Sequence, residues 1–137
     1  MKADLVVKKG TIVTPEASLK GGVAIHDGKI VAIGADDTLP EGNRTIDASN
    51  LHILPGLIDA HVHFRDPGVT HKEDFSTGST AAVCGGITTI VDMPNQLPPT
   101  ENAEQVDVKR KIGETKSLCD FAVLLSLIHI SEPTRRS

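Results

Sequence analysis

The stretch LPGLIDAHVHFRDPG, Leu54 to Gly68, decides how the chain is read. Pro55-Gly56 halts one pattern and an apolar run follows. Two histidines one residue apart then precede an arginine and a second Pro-Gly stop. Leu57 to Phe64 reads as one apolar strand, and alternate side chains of a strand share a face. His61, His63 and Arg65 are therefore expected on one side, with Val62 and Phe64 on the other. In parallel barrels the reactive groups gather at the carboxyl ends of the strands, where these residues stand. Two neutral imidazoles converging on one point suit zinc or a similar divalent ion. A pair of ordinary structural histidines is the plainer alternative.

The pattern differs on the two sides of Pro55-Gly56. Before it, residues 1–54 are rich in short strands. Ala3 to Thr14 alternates in Val, Ile and Thr and suits a half-buried strand pair. In GVAIHDGKIVAIG, from Gly22, Asp27-Gly28 supplies the positive backbone angles of a tight hairpin. Thr45-Ile46-Asp47 and Leu51 to Leu54 add two short strands, so a small antiparallel sandwich or sheet is expected. After it, residues 55–124 alternate strand and helix. Glu73 to Cys84 is a helix candidate with acidic residues in its first turn, stopped by Gly85-Gly86. Ile87 to Met93 is a strand ended by Pro94. Thr100-Glu101 opens a second helix to about Ser117, with a thin apolar face of Ala103, Val106, Val108 and Ile112 that would cover a barrel from outside. Leu118 to Leu124 is a third strand. Short connections in this order mean parallel strands and right-handed crossovers.

Composition excludes several classes. With 14 basic and 18 acidic residues and no basic block, the chain carries a formal charge of -4 and is not expected to bind nucleic acid. No apolar run approaches the ~20 residues that span a bilayer, and no basic-then-apolar leader opens the chain, so no membrane association is expected. Cys84 and Cys119 sit in apolar surroundings and read as reduced core residues of a cytoplasmic protein. The end of the chain, LSLIHISEPTRRS from Leu125 to Ser137, resembles the in-frame translation of a common sequencing adapter. Residues 125–137 are accordingly expected not to be native protein, which removes His129 from the candidate ligands.

The fuller pattern, LPGLIDAHVHFRDPG followed by HKEDFSTGSTAAVCGGITTIVDMPN, resembles the amidohydrolase superfamily, and within it the dihydroorotases of the cyclic amidase branch. The resemblance covers Ala3 to Leu124. It implies an α/β fold: the first units of a metal-dependent (β/α)8 TIM barrel, preceded by strands of a small β-sandwich, the whole being truncated. It further implies that His61 and His63 are ligands of the more buried of two zinc ions. Arg65 and Asn95 match the arginine and asparagine that hold the substrate carboxylate in dihydroorotases. A guanidinium fork suits that task, since it grips a carboxylate through two parallel hydrogen bonds. The alternatives are a surface ion pair of Arg65 with Asp66, and an Asn95 that caps its own turn.

In this family a carboxylated lysine, two later histidines and a late-strand aspartate complete the site. None of them can be assigned here, so no catalytic residue is named and the chain as written is expected to be inactive. The implied reaction is the reversible cyclisation of N-carbamoyl-aspartate to dihydroorotate in pyrimidine synthesis, by a homo-oligomer when complete. Allantoinase or a hydantoinase is the nearest rival. MPNQLPPT departs from the dihydroorotase pattern at Gln96-Leu97 and resembles allantoinases there, whereas Arg65 points the other way. A non-catalytic scaffold partner of aspartate transcarbamoylase is the reading from another class. Of the other polar residues, Asp59 could orient a ligand or be an ordinary barrel residue. His71 reads as a solvated loop histidine, and His26 and His52 read as structural.

Overall fold

The computed structural model describes residues 2–126, which fall into two compact units divided between Pro55 and Gly56. In the first, β1 (Ala3–Val13), β2 (Ser18–His26), β3 (Lys29–Gly34) and β4 (Gly42–Asp47) form a sheet in the order β3-β2-β1-β4. The short β5 (His52–Ile53) also pairs with β1. The β2-β3 hairpin turns on Asp27 and Gly28 at φ 49° and 70°, the pair of positive angles that Asp-Gly was expected to supply.

Two expectations for this unit need correction. Ala3 to Val13 is one strand, not a pair: Lys9 adopts φ 64° and the register against β2 jumps between Val7 and Gly10. This irregularity bends the strand without ending it. The Lys9 N–H, turned off the ladder, donates to the Asp36 carboxylate at 3.0 Å. Nor is the sheet purely antiparallel, because β4 and β5 both run parallel to β1. The chain leaves β3 at one edge and crosses over to the far side of β1, so β4 enters in the same direction as β1. Ala3, Val6, Ala24 and Leu39 form the buried cluster of this unit.

The second unit is built of β6 (Leu57–Val62), α1 (Phe75–Cys84), β7 (Ile87–Asp92), α2 (Ala103–Lys116) and β8 (Asp120–Val123). The strands are parallel in the order β6-β7-β8, as strand-helix-strand alternation dictates. Helix α1 begins later than expected. Asp74 is its N-cap, accepting the Thr77 N–H at 2.8 Å, so Glu73 and Asp74 precede the first turn and do not lie in it. Helix α2 likewise starts at Ala103, with Asn102 accepting the Gln105 N–H at 3.0 Å.

The core of this unit joins the chain's three phenylalanines. Phe64 meets Phe75 edge-on at 5.3 Å between centroids, and Phe75 meets Phe121 at 5.4 Å. Edge-to-face contact of this kind adds to simple area burial. Each helix admits one ring through a glycine. A Cβ on Gly78 would lie 2.4 Å from the Phe64 ring, and one on Gly113 would lie 2.4 Å from the Phe121 ring. The thin apolar face of α2 thus reflects a ring seated against Gly113 where a side chain would otherwise stand. Cys84 is exposed and is not the core residue expected, whereas Cys119, half-buried, packs against the phenylalanine core. Cys84 lies off the stripe of Phe75, Gly78, Ser79 and Ala82 that α1 buries.

No helix among the described residues is long and apolar enough to cross a membrane. Of the tail expected to be foreign, Ser126 donates its N–H to the Thr100 carbonyl at 2.7 Å, and residues 127–137 lie outside the described residues. Leu57, Ile58 and Leu118 are each more than half exposed in the second unit, and Ile30 and Ile33 in the first. Large exposed apolar side chains on open sheet edges favour association. The isolated 137-residue chain is therefore expected to bind the dye ANS at neutral pH and to elute from size exclusion as associated species. A dye-silent monomer with a cooperative thermal transition would contradict this.

Candidate metal and carboxylate site

Strands β6 and β7 end level with each other. Val62 pairs with Asp92, and the Met93 N–H donates to the Val62 carbonyl at 2.9 Å. The loops that follow therefore emerge side by side, and they carry the polar residues singled out above.

His61 is exposed near the end of β6, and His63 is half-buried one residue past it. Their rings approach edge-on, 5.0 Å between centroids at 78°. Nδ1 of His63 lies 2.8 Å from the side-chain oxygen of Asn95. An amide oxygen only accepts, so Nδ1 carries the proton and Nε2 keeps its lone pair for a cation. Metal-ligating histidines are commonly oriented in this way by a hydrogen bond to the other ring nitrogen. The two imidazoles fit a divalent ion, supplying half of a four-coordinate shell. Asn95 uses its oxygen on His63, not on its own turn, and this leaves its N–H donors for another acceptor.

Arg65 reaches the site by a different route from the one expected. The strand has already ended and Arg65 adopts φ 49°, so strand alternation no longer sets its direction. Its guanidinium nevertheless donates to the backbone oxygen of Asn95 at 3.4 Å. The alternative pairing with Asp66 fails, because buried Asp66 accepts from Lys116 Nζ at 2.7 Å. The Asp66 carboxylate raises the Lys116 pKa above its ordinary value. Gly68, at φ 103°, lets the loop lie against its neighbour, since a Cβ there would stand 2.1 Å from the Leu97 carbonyl oxygen.

Asp59 accepts the backbone N–H of His61 at 3.0 Å, so it braces the strand and does not orient a ring. His71 and His52 are exposed. His26 lies beside Asp4, 3.3 Å from Nδ1 to carboxylate.

Beneath the loops lies a polar network that sequence reading missed. Asp92, at the end of β7, accepts the Phe64 N–H on one oxygen at 3.0 Å and pairs with Lys109 Nζ on the other at 2.8 Å. Both side chains are 1% exposed. The same ammonium donates to the Met93 carbonyl at 2.7 Å and to the Gln96 side-chain oxygen at 3.0 Å, so two hydrogen bonds and the ion pair with Asp92 hold it in place. The Gln96 side-chain nitrogen donates in turn to the Thr100 hydroxyl. Burial pulls the Lys109 pKa below its ordinary value, and the hydrogen bond and charge of Asp92 oppose that shift. One signal was available. Lys109 sits with Val106, Ile112 and Gly113 on the packed stripe of α2, where a lysine requires a buried partner.

Residues 52–123 match the Amidohydrolase family. The chain belongs to that family. It is 45% identical over 117 residues to a dihydroorotase of Methanothermobacter thermautotrophicus, covering 85% of this chain and 27% of that protein. It is 40% identical over 129 residues to an allantoinase of Salmonella choleraesuis, covering 93% of this chain and 28% of that protein. Its structure resembles that of an L-hydantoinase (dihydropyrimidinase) from Arthrobacter aurescens, with a TM-score of 0.83 and 35% identity over 88% of this chain and 27% of the other. A D-hydantoinase from Thermus sp. gives a TM-score of 0.77 and 30% identity, covering 96% and 29%. The chain thus spans little more than a quarter of the length of these relatives, all of which are named for cyclic amides.

His61→Ala and His63→Ala, made in the complete protein that carries this segment, should each abolish high-affinity binding of one divalent ion, with zinc as the probe in calorimetric titration. Asn95→Leu should weaken that binding by about 10- to 100-fold through loss of the ring-orienting hydrogen bond. His71→Ala should leave it unchanged.

Proposed function

We propose that this chain is the front part of a metal-dependent (β/α)8-barrel hydrolase of cyclic amides, its first 54 residues contributing strands to a small β-sandwich. We further propose that its substrate is dihydroorotate, formed reversibly from N-carbamoyl-aspartate in pyrimidine synthesis. The observation that carries the substrate is the meeting of Arg65 with Asn95 beside the two imidazoles. A cyclic amide with a ring carboxylate would meet the guanidinium fork of Arg65 and the free N–H donors of Asn95. The rest of the ring would then extend toward His61 and His63.

Two zinc ions are proposed for the complete site, with His61 and His63 holding one of them. Zinc in such a setting supplies a water acidic enough to attack at neutral pH and polarises the amide carbonyl. Arg65 and Asn95 would fix the carboxylate end of the substrate, converting a chance encounter into a held geometry. Asn95 would also keep the proton on His63 Nδ1. The groups that complete proton transfer belong to the part of the enzyme beyond this chain, and the chain alone should show no hydrolysis. A cytoplasmic enzyme belongs to the same proposal, for which the two free thiols among the described residues are the support; assembly into a homo-oligomer is proposed from the family resemblance alone.

The allantoinase reading draws on Gln96-Leu97, where the sequence departs from the dihydroorotase pattern; Leu97 is exposed and offers a ligand neither charge nor a side-chain hydrogen bond. Gln96 is buried and its side chain is committed to Lys109 and Thr100. It shapes the loop and does not face a ligand, so it weighs less on substrate choice than Arg65. Arg65→Met in the complete enzyme should lower kcat/KM for dihydroorotate by about 10- to 100-fold, the worth of a charge-assisted hydrogen-bonded pair. Turnover of allantoin by the unaltered enzyme, with less than a threefold effect of Arg65→Met, would establish the rival reading.

A further inference from the structure

We infer that Lys109 is a positioning residue whose ammonium, by gathering Asp92, Met93 and Gln96, presets the contact between His63 and Asn95. The inference rests on the proposed hydrolase reading for its activity readout, and on geometry alone for the rest.

His63 and Asn95 lie on different strand-end loops, 32 residues apart, yet meet at 2.8 Å. Their own contact is exposed and would not fix two loops by itself. Lys109 supplies what it lacks. All three acceptors of the ammonium come from one five-residue stretch, Asp92 to Gln96, with Asn95 inside it. Gln96 turns inward to the ammonium and is buried, whereas its neighbour Asn95 is exposed and turns to His63. Asp92 extends the restraint to the second loop, because its other oxygen holds the N–H of Phe64, the residue between His63 and Arg65. A single buried ammonium on α2 therefore restrains both halves of the site. Two turns further along α2, Lys116 holds Asp66, the residue after Arg65, so the same helix fixes the far side of that loop. Lys109 does not reach the imidazoles or the guanidinium. It acts through the backbone that carries them.

The test uses Lys109→Met and the double variant Asp92→Asn/Lys109→Met in the complete enzyme. Methionine matches the lysine in length and donates nothing, so the single variant leaves an unpaired buried carboxylate and should lose thermal stability. In the double variant the side chain at position 92 is a neutral amide whose oxygen can still accept the Phe64 N–H, so the thermal midpoint should rise part of the way back, the unpaired Met93 and Gln96 oxygens withholding the rest. The bonds to Met93 and Gln96 remain absent. Zinc affinity should therefore stay about 10-fold or more weaker, as for loss of other ligand-orienting groups. The 15N shifts of the His63 ring, which report the Nδ1-protonated tautomer held by Asn95, should move toward those of a free tautomer mixture in the metal-free protein, and KM should rise more than kcat falls. Recovery of zinc affinity and of the His63 signal along with stability would overturn the inference. So would a double variant that regains no stability, since Lys109 would then merely support the fold. An unaltered enzyme that turns over no cyclic amide would sink the proposed function, while the zinc titration and the imidazole signal would still decide the role of Lys109.

Discussion

The register of the second sheet is the constraint on which the site depends. Val62 lies opposite Asp92, and Asp92 opposite Val123. Two backbone bonds close these ends, Met93 N–H to Val62 O at 2.9 Å and Leu124 N–H to Asp92 O at 3.0 Å. Because parallel strands present their carboxyl ends together, everything that follows each strand issues from one rim. The β6–β7 register shifts between Asp59 and Val62, and a further slip of one residue there would turn the end of β6 to the opposite face. It would also carry Asp92 away from the Phe64 N–H. The pairing of His63 with Asn95 is thus a consequence of register first and of side-chain chemistry second.

The fold was legible where one residue type has one physical use. Asp27-Gly28 could be read as a hairpin because few residues tolerate two successive positive φ angles. Pro55-Gly56 and Gly85-Gly86 marked real boundaries, as the start of β6 and the end of α1 show. What failed involved either competition or distance. Glu73 and Asp74 looked like first-turn acids, but Asp74 gains more as a cap that satisfies an unpaired N–H. The parallel entry of β4 depends on a crossover that no local pattern records. Cys84 was assigned to the core by its apolar neighbours, although the helical stripe leaves it outside.

The site divides in the same way. His61 and His63 were visible as a pair, and the structure brings their rings together. Arg65 was visible for its chemistry, but the reason given for its direction was wrong: a left-handed backbone, not strand alternation, delivers it to Asn95. The Asp92-Lys109 pair was not read at all, because its members stand far apart in the chain and each looks solvated when counted alone. Only the position of Lys109 on the packed stripe of α2 betrayed it.

That pair also bears on why a charge is buried here. Withdrawing an ammonium and a carboxylate from water costs several kcal/mol, and an apolar pair of similar volume is often as stable or more so. Stability alone therefore gives a weak account of Lys109. What an apolar replacement could not do is bind three acceptors at once, or link the residue behind His63 to the loop that bears Asn95. Hydrogen bonds to one ammonium have direction, and two of them together with the ion pair to Asp92 leave the Asp92 to Gln96 segment few ways to lie. The loop thereby gains definition without any regular secondary structure of its own. If the rim is catalytic, as proposed, it requires such definition, because a displacement of about 1 Å can cost about two orders of magnitude in rate.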